Sequence, residues 1–183
     1  MDLKKIEKLV KELITEIGED PEREGLVDTP CRVAKSFEKM YSGYGQDPSK
    51  LVTKFDGGDY DEMIICKDID FFSTCEHHML SFFGKVYICY IPEKKIVGVS
   101  KLSRIVELYA RRLQNQERLT MQIANTLNDL LKPKGVGVVI EAKHLCMMVR
   151  GVEKQNVTMT TSAFTGLFKG NLNTRSEFLK LIE

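Results

Sequence analysis

The first part of the chain is patterned for helices, because its apolar residues recur every three or four positions. In residues 2–17 they form one stripe, which ends before Gly18 and Pro21. The residues of this stripe are Ile6, Leu9, Val10, Leu13, Ile14 and Ile17. A second helix is expected in "DTPCRVAKSFEKMYSGYG", where Asp28 or Thr29 can cap the first turn. The chain is therefore predicted to begin with two helices.

After the loop "GQDPSKLVTKFDGGDYD" the pattern becomes that of strands. β-branched and aromatic residues fill "EMIICKDIDFFS" and "GKVYICYIPEKKIVGVS", and helical patterns follow at 101–113 and 116–131. Two further strand patterns, "GVGVVIEAKHLCMMVR" and "NVTMTTSAF", precede a last helix that is expected to start at a Thr-x-x-Glu capping box. This order predicts an α+β fold, an antiparallel four-stranded sheet with a helix pair on one face. We place a helical N-terminal segment at 1–58 and the sheet domain at 59–183.

Composition and charge argue against several classes of protein. Lys plus Arg number 27 and Asp plus Glu number 26, so the net charge of +1 gives no support for a nucleic-acid or membrane binder. No apolar run is long enough to span a bilayer, and the charged N-terminus lacks the apolar core of a secretory signal. We therefore expect a cytoplasmic protein with no nucleic-acid or membrane partner.

All three histidines of the chain lie within three residues of a cysteine. His77 and His78 follow Cys75 in "STCEHHML", and His144 precedes Cys146 in "KHLCMMVR". The remaining cysteines have no histidine neighbour and are expected to be small buried hydrophobes, because an odd number of scattered cysteines does not predict a disulfide framework. They are Cys31, Cys66 and Cys89. Two distant segments are thus predicted to meet around one chemical centre.

The spacing of these residues indicates a metal site. A turn after a strand lets Cys75 and His78, at C-x-x-H spacing, reach one ion, and thiolate and imidazole suit zinc. The strand pattern continues through "KHLCMMVR", so alternation puts His144 and Cys146 on one face and adds a third ligand. Three protein ligands leave the open position of a catalytic site, with His77 and His144 free for proton transfer. A lone C-x-x-H pair usually binds nothing, so spacing alone leaves a structural interpretation open.

Basic residues at a predicted helix start suggest where an anion can bind. Ser100 begins this helix, with Lys101 and Arg104 one turn apart. Backbone N–H groups and two cations can hold a phosphate, although these residues alone favour a capped helix with a solvated basic face. Alternation along the long strand places Arg150 on the same face as the histidine and cysteine, so an anion is expected there too.

A second predicted helix start carries an amide and an acid. Gln116 and Glu117 open the helix at 116–131, where an acidic side chain favours the helix dipole. Simple capping explains both residues, but a carboxylate at this position can also accept two N–H groups from a purine edge.

Four segments together resemble the zinc-dependent GTP cyclohydrolase I family: "STCEHH", "GVSKLSRIVELYARRLQNQERLT", "HLCMMVRGV" and "GLFKGNLNTRSEFL". The resemblance runs from about residue 20 to the end of the chain, and the segments are long and in order. It implies the tunnelling fold, an antiparallel sheet with two helices that assembles with copies of itself into a barrel. It also implies a toroidal homodecamer with sites at the subunit interfaces.

The resemblance also implies a role for each candidate residue. Cys75, His78 and Cys146 would hold Zn²⁺, and His77 and His144 would flank the guanine imidazole ring. The others would bind GTP: Gln116 and Glu117 at the guanine edge, Ser100 near the ribose, and Lys101, Arg104 and Arg150 at the triphosphate, with Arg32 from a neighbouring subunit.

The implied reaction is the hydrolysis of GTP at guanine C8. Water activated by zinc attacks C8, while His77 as general acid protonates N7. The ring opens to a formamide, formate leaves, and rearrangement of the ribose gives 7,8-dihydroneopterin triphosphate, the first step of pterin and tetrahydrofolate biosynthesis. Glu76 is expected to act beside the metal or as a proton carrier. Asn115, where the family usually has a small apolar residue, removes no functional group and is expected to have little effect.

Two other interpretations remain open from the sequence. A related tunnelling-fold enzyme, the deazaguanine nitrile reductase, would use a cysteine nucleophile and a nicotinamide site. The pairing of Cys75 and Cys146 with histidines at ligand spacing disfavours such a free thiol. A non-enzymatic zinc-stabilised binding module would need a closed four-ligand site and no role for His77 or His144.

Overall fold

The computed structural model describes residues 1–183, which form two compact units, Met1–Ser42 and Gly43–Glu183. The predicted helical segment runs to residue 58, whereas the units divide earlier. The difference arises because the short strand Lys54–Asp56 pairs with another strand of the second unit.

The first unit consists of the two predicted helices, α1 (Leu3–Glu16) and α2 (Thr29–Met40). Asp2 caps α1, since its carboxylate accepts a hydrogen bond from the backbone N–H of Lys5 at 3.1 Å. α1 packs against α2 and buries Ile14 of its apolar stripe. The periodic pattern of the N-terminal sequence is thus confirmed.

The second unit contains the sheet and the remaining helices. Its strands are β1 (Lys54–Asp56), β2 (Ile64–Cys75), β3 (Ser81–Ile91), β4 (Lys95–Val97), β5 (Leu113–Gln114), β6 (Gly135–His144) and β7 (Met159–Phe164). Its helices are α3 (Val99–Ala110), α4 (Gln116–Leu131), α5 (Leu145–Met148), α6 (Gly166–Gly170) and α7 (Leu172–Ile182), with a 3₁₀ turn at Pro48–Lys50. The predicted order of two strands, two helices and two strands is confirmed, with short elements added.

The main sheet has the order β5-β2-β3-β6-β7, in which β2, β3, β6 and β7 are antiparallel. The two-residue β5 joins in parallel beside β2 and was not predicted, because two residues show no period. Thr74 pairs with Ser81, and Phe82 pairs with His144. The end of β2, the start of β3 and the end of β6 therefore meet at one end of the sheet, which we call the histidine end.

α3 and α4 cover one face of this sheet. The core between them includes Val86, Ile88, Ile105, Leu119, Ile123 and Val138, all 0% exposed. Burying such side chains is worth roughly 1.5–3 kcal/mol each, so the helix pair is firmly held. An antiparallel sheet with a helix pair on one face is the α+β architecture predicted from the sequence.

The opposite face of the sheet is covered only in part. α6 and α7 pack Phe168 and Phe178 over one end, where Cys89 is 0% exposed. Burial raises the pKa of the Cys89 thiol to about 12, which agrees with the prediction that this cysteine is a buried hydrophobe. None of the five cysteines forms a disulfide. Towards the histidine end the face is open, with a cavity of about 360 Å³ beside the stacked rings of Phe72 and Phe83.

The last helix starts earlier than its sequence signal. The predicted capping box at Thr174 and Glu177 is wrong, because α7 begins at Leu172. Asn171 is the cap, and its side-chain oxygen accepts from the N–H groups of Asn173 and Thr174 at 2.9 and 3.3 Å. Asn is a strong N-cap, which accounts for the earlier start.

Candidate active site

The turn between β2 and β3 brings Cys75 and His78 together. Cys75 ends β2, and the N–H of Met79 donates back to its carbonyl oxygen at 2.8 Å. Met79 has a φ of 55°, a left-handed conformation that closes the turn. The Sγ atom of Cys75 consequently lies 3.9 Å from Nδ1 of His78. The turn that the sequence predicts at the end of this strand is present.

Cys146 reaches the same place from a helical turn. The prediction that the strand continues through "KHLCMMVR" is wrong, because β6 ends at His144 and Leu145–Met148 forms α5. Leu and Met are good helix formers, so these residues favour a helical turn where the sheet ends. The ligand atoms of Cys75, His78 and Cys146 nevertheless all lie within 4.8 Å of one another.

These three residues fit a zinc ion. Cys75 and Cys146, 5% and 8% exposed, offer sulfur atoms, and the exposed His78 offers a nitrogen. Tetrahedral zinc with ordinary bond lengths separates such atoms by about 3.5–3.8 Å, close to the 3.9 Å between Cys75 and His78. Burial and the neighbouring Cys75 raise the pKa of the Cys146 thiol, so a cation is needed to hold both thiolates. The set is a candidate metal site with one of zinc's four positions lacking a protein ligand.

His77 lies beside this set without belonging to it. Its side chain is 66% exposed, and its Nδ1 atom lies 3.8 Å from Sγ of Cys75. The set of ligand atoms within 4.8 Å of one another contains His78 and not His77. The Nε2 atom of His77 lies 3.9 Å from the Glu76 carboxylate. His77 is therefore open to a bound molecule next to the candidate metal site.

A polar network ties this turn to the start of α4. The Glu76 carboxylate accepts hydrogen bonds from Asn115 Nδ2 at 2.9 Å and from Arg118, and Arg118 holds the pKa of Glu76 below its usual value. Arg118 Nε also donates to the side-chain oxygen of Gln114 at 2.7 Å. Asn115 caps α4, since its side-chain oxygen accepts from the Arg118 N–H at 2.8 Å. Neither of these two contacts of Asn115 was predicted from the sequence pattern.

Replacing Asn115 by alanine is expected to lower the free energy of unfolding by about 1 kcal/mol, because a helix cap is lost. Turnover should also fall several-fold, since Glu76 loses a donor and the turn that carries His77 is held less firmly. The matched control is Asn171→Ala, which removes the cap of α7 outside the cavity. Urea unfolding and product formation measure the two effects. If both variants lost stability and kept full turnover, the link from the cap to the turn would be refuted.

His144 faces the same space from the end of β6. Its ring stacks on Phe82, with ring centres 4.6 Å apart and planes 3° apart. Its Nε2 atom lies 2.8 Å from Oε1 of Gln116. Burial lowers the pKa of the imidazole, and the charge of Glu117 opposes this shift. The lowered pKa favours the neutral ring at pH 7.

One cavity of about 190 Å³ unites these side chains. Its lining residues are Cys75, His77, His78, Gln114, Asn115, Gln116, Glu117, His144, Cys146 and Met159. The predicted metal ligands, both other histidines and the first residues of α4 are thus brought together. Gln114 and Met159 were not predicted as lining residues, because neither stands in a sequence pattern that carries chemistry.

The residues predicted to bind phosphate lie on another part of the chain. Ser100 and Lys101 are in the first turn of α3, and Arg104 is one turn later. α3 ends at the histidine end of the sheet, where Ser73 Oγ donates to the carbonyl oxygen of Ala110 at 2.6 Å. At 1.5 Å per residue, Lys101 lies about 13 Å back along the helix axis. Neither Lys101 nor Arg104 is among the residues that line the cavity.

The other two predicted arginines have different surroundings. The guanidinium of Arg150 donates to the carbonyl oxygen of Cys146 at 2.6 Å, which places it beside α5. Arg32 belongs to α2 in the first unit, where its exposed side chain pairs with Asp28 at 3.0 Å. Among the predicted triphosphate residues of the second unit, Arg150 is therefore the one that contacts a candidate metal ligand directly.

The fold and the site together define an α+β enzyme with a candidate metal centre at the end of its sheet. Two further histidines and an acid share the same cavity. The chain belongs to the GTP cyclohydrolase I family, whose model matches residues 6–183. The resemblance seen in four segments of the sequence is confirmed.

Individual relatives match over almost the whole chain. GTP cyclohydrolase 1 of Wolinella succinogenes is 57% identical over 182 residues, which are 98% of this chain and 97% of the relative. GTP cyclohydrolase 1 of Chlorobium phaeovibrioides is 60% identical over 171 residues, 93% of this chain and 77% of the relative. A crystal structure of an archaeosine synthase QueF-like protein in the apo form is 17% identical, with a TM-score of 0.48, and the match covers 57% of this chain and 93% of that one.

Proposed function

We propose that the chain hydrolyses GTP at guanine C8, releases formate and yields 7,8-dihydroneopterin triphosphate, the first step of pterin and tetrahydrofolate biosynthesis. One observation carries the proposal: the cavity combines the Cys75, His78 and Cys146 set with the side chains of His77 and His144. Hydrolysis at a ring carbon of guanine needs a nucleophile, a proton donor and contacts that hold the nucleobase in place. The cavity has residues that can serve each of these needs. Membership of the GTP cyclohydrolase I family supports the assignment.

The metal set and His77 divide the first step between them. Cys75, His78 and Cys146 would hold zinc, which when bound supplies a nucleophile at neutral pH by lowering the pKa of water. His77 donates a proton to N7 of guanine and so makes C8 electrophilic. The Glu76 carboxylate lies 3.9 Å from Nε2 of His77, beside the imidazole that gives up this proton.

The start of α4 binds the base. Glu117 stands in the first turn of the helix and lines the cavity, so its carboxylate can accept N–H groups from the amidine edge of guanine. The two N–H donors of that edge match the two oxygens of a carboxylate, which gives a reason for an acid at this position. His144, stacked on Phe82, borders the space where the imidazole ring of guanine would lie.

Two copies of the chain are needed to complete the site. Lys101 lies about 13 Å and Arg104 about 9 Å along α3 from its end near the cavity, and neither lines the cavity, so they are placed to serve the cavity of a neighbouring copy. β7 and most of β2 each have one edge without a partner strand in the chain, and such edges can pair between copies. These features support a ring-shaped homo-oligomer, which in this family is a toroidal decamer. In such a ring the triphosphate would be held by Lys101, Arg104 and Arg150 and by Arg32 of another copy. Ser100 would lie near the ribose.

A mixing experiment tests the shared site. Cys146→Ser and Arg104→Ala chains should each be strongly impaired alone, because one lacks a metal ligand and the other a phosphate contact. Co-assembly at equal amounts should restore activity at about a quarter of the sites, those where an intact metal set meets an intact α3 from a neighbour. Formate release by the refolded mixture measures this. If mixed rings were no more active than the two variants measured separately, each chain would have to carry a whole site.

The two other interpretations are not favoured. A nitrile reductase needs a free nucleophilic thiol, and both cysteines of the cavity belong to the candidate metal set. A structural zinc module needs four protein ligands, whereas this set has three and leaves two histidines in the cavity.

The activity itself is tested with GTP as substrate. Zinc-loaded protein should release formate and form a product with the ultraviolet spectrum of a dihydropterin, and a chelator should stop both. Readdition of zinc should restore them. Absence of formate from protein that metal analysis shows to be fully loaded would refute the proposed function.

Location and other partners stay predictions from the sequence. No helix of the chain combines the length and the apolar character needed to cross a membrane. A cytoplasmic location, with GTP as the small-molecule partner and no nucleic acid, agrees with the proposed reaction.

A further inference from the structure

Gln116 has an unusual environment for a residue expected to bind substrate. It is the first residue of α4 and is 1% exposed. Its Nε2 atom lies 3.0 Å from the carbonyl oxygen of Ile140, 2.9 Å from that of Met159 and 3.1 Å from Oγ1 of Thr161. The two hydrogens of the amide are therefore already shared among three acceptors of the chain.

These contacts fix which way the amide points. The nitrogen and oxygen of a glutamine side chain are usually hard to tell apart, but backbone carbonyls only accept hydrogen bonds. The atom that faces Ile140 and Met159 must therefore be the nitrogen. Oε1 of Gln116 then faces the other way, 2.8 Å from Nε2 of His144.

The orientation of the amide decides the tautomer of His144. An amide oxygen only accepts, so Nε2 of His144 must carry the hydrogen. In the neutral ring, Nδ1 then has a lone pair and no hydrogen. Nδ1 has no hydrogen-bond partner in the chain, and the ring, held flat against Phe82, borders the cavity.

Two threonines complete the arrangement. Thr120 Oγ1 donates to the backbone oxygen of Gln116 at 2.7 Å, so in its 2.7 Å contact with Thr161 it must accept. Thr161 thus donates to Thr120 and accepts from Gln116. Each polar group of the buried network has a consistent partner, which holds the amide in one position.

We propose that Gln116 is a positioning residue for His144: it fixes the imidazole with its hydrogen on Nε2 and presents Nδ1 to the substrate as a hydrogen-bond acceptor. Recognition of the guanine edge then belongs to Glu117 alone. The part played in turnover rests on the proposed function, whereas the tautomer does not depend on it.

The tautomer can be measured directly in the zinc-loaded wild-type protein. With only three histidines, solid-state NMR of protein labelled with ¹⁵N in histidine alone resolves each ring, and His144→Ala assigns the signals. We expect His144 to carry hydrogen on Nε2 and a bare Nδ1. A neutral ring protonated on Nδ1 would overturn the proposal, whether or not GTP is turned over. Failure of the GTP assay with the expected tautomer would refute the proposed function alone.

Kinetics separate positioning from substrate recognition. Gln116→Met keeps the length of the side chain and removes both hydrogen-bonding atoms. We expect kcat to fall about 10- to 100-fold with KM for GTP little changed, and Gln116→Met combined with His144→Ala to be no slower than His144→Ala alone. Glu117→Gln serves as the comparison, with its main effect on KM.

Two results would contradict the positioning role. One is a raised KM with unchanged kcat in Gln116→Met, and the other is an independent, multiplying loss in the double variant. Either result would show that Gln116 contributes to guanine recognition and not to the positioning of His144. If Gln116→Met does not fold, the tautomer in the wild-type protein decides the question.

Discussion

Cys146→Ser is expected to lose zinc and, with it, GTP hydrolysis by roughly a thousandfold or more. The candidate centre has only three protein ligands, so loss of one thiolate leaves two. A serine hydroxyl is a poor replacement, because it is not ionised at neutral pH and is a harder donor than sulfur. Metal analysis per chain and formate release measure the two losses.

The control for this variant is Cys66→Ser. Cys66 lies on β2, the same strand as Cys75, is only partly buried and is absent from the cavity. It should keep a full complement of zinc and near-normal turnover. Full zinc occupancy in Cys146→Ser would show that another residue completes the metal site.

His77→Ala is expected to keep its zinc and to lose about 10²- to 10⁴-fold in kcat, the usual contribution of a general acid. The side chain is 66% exposed and lies outside the three-ligand set, so neither metal binding nor folding should depend on it. The neighbouring variant His78→Ala should instead lose the metal. Measuring zinc content and kcat on the pair distinguishes two adjacent histidines that differ in role.

The reverse result would reassign the pair. If His77→Ala lost zinc while His78→Ala retained it, His77 would be the ligand and His78 the proton donor. The close approach of both imidazoles to Cys75, at 3.8 and 3.9 Å, is why metal analysis is needed beside kinetics.

Sequence patterns predicted which residues come together better than they predicted the backbone that carries them. The C-x-x-H spacing needed only a turn after a strand, and the structure has that turn. Cys146 was placed through strand alternation, yet it stands on a helical turn. Cys146 still lies near Cys75, as predicted, because β6 ends at the histidine end of the sheet and any short continuation of the chain stays there.

Other features lie beyond local patterns. In the structure Gln116 is buried, whereas the neighbouring Glu117 lines the cavity. The segment "NQERLT" does not show this difference, because it depends on how α4 lies across β6 and β7. The contacts of Asn115 with both Glu76 and the helix start are likewise contacts between distant segments. Period and propensity describe a segment, whereas these hydrogen bonds depend on the tertiary fold.

The position of Lys101 and Arg104 outside the cavity has a consequence for how the protein behaves on dilution. If a cavity and its phosphate-binding residues come from different copies, a free chain has no complete site. Specific activity should then fall as the protein concentration drops below that at which the ring comes apart, and bound GTP should delay the loss by linking neighbouring copies.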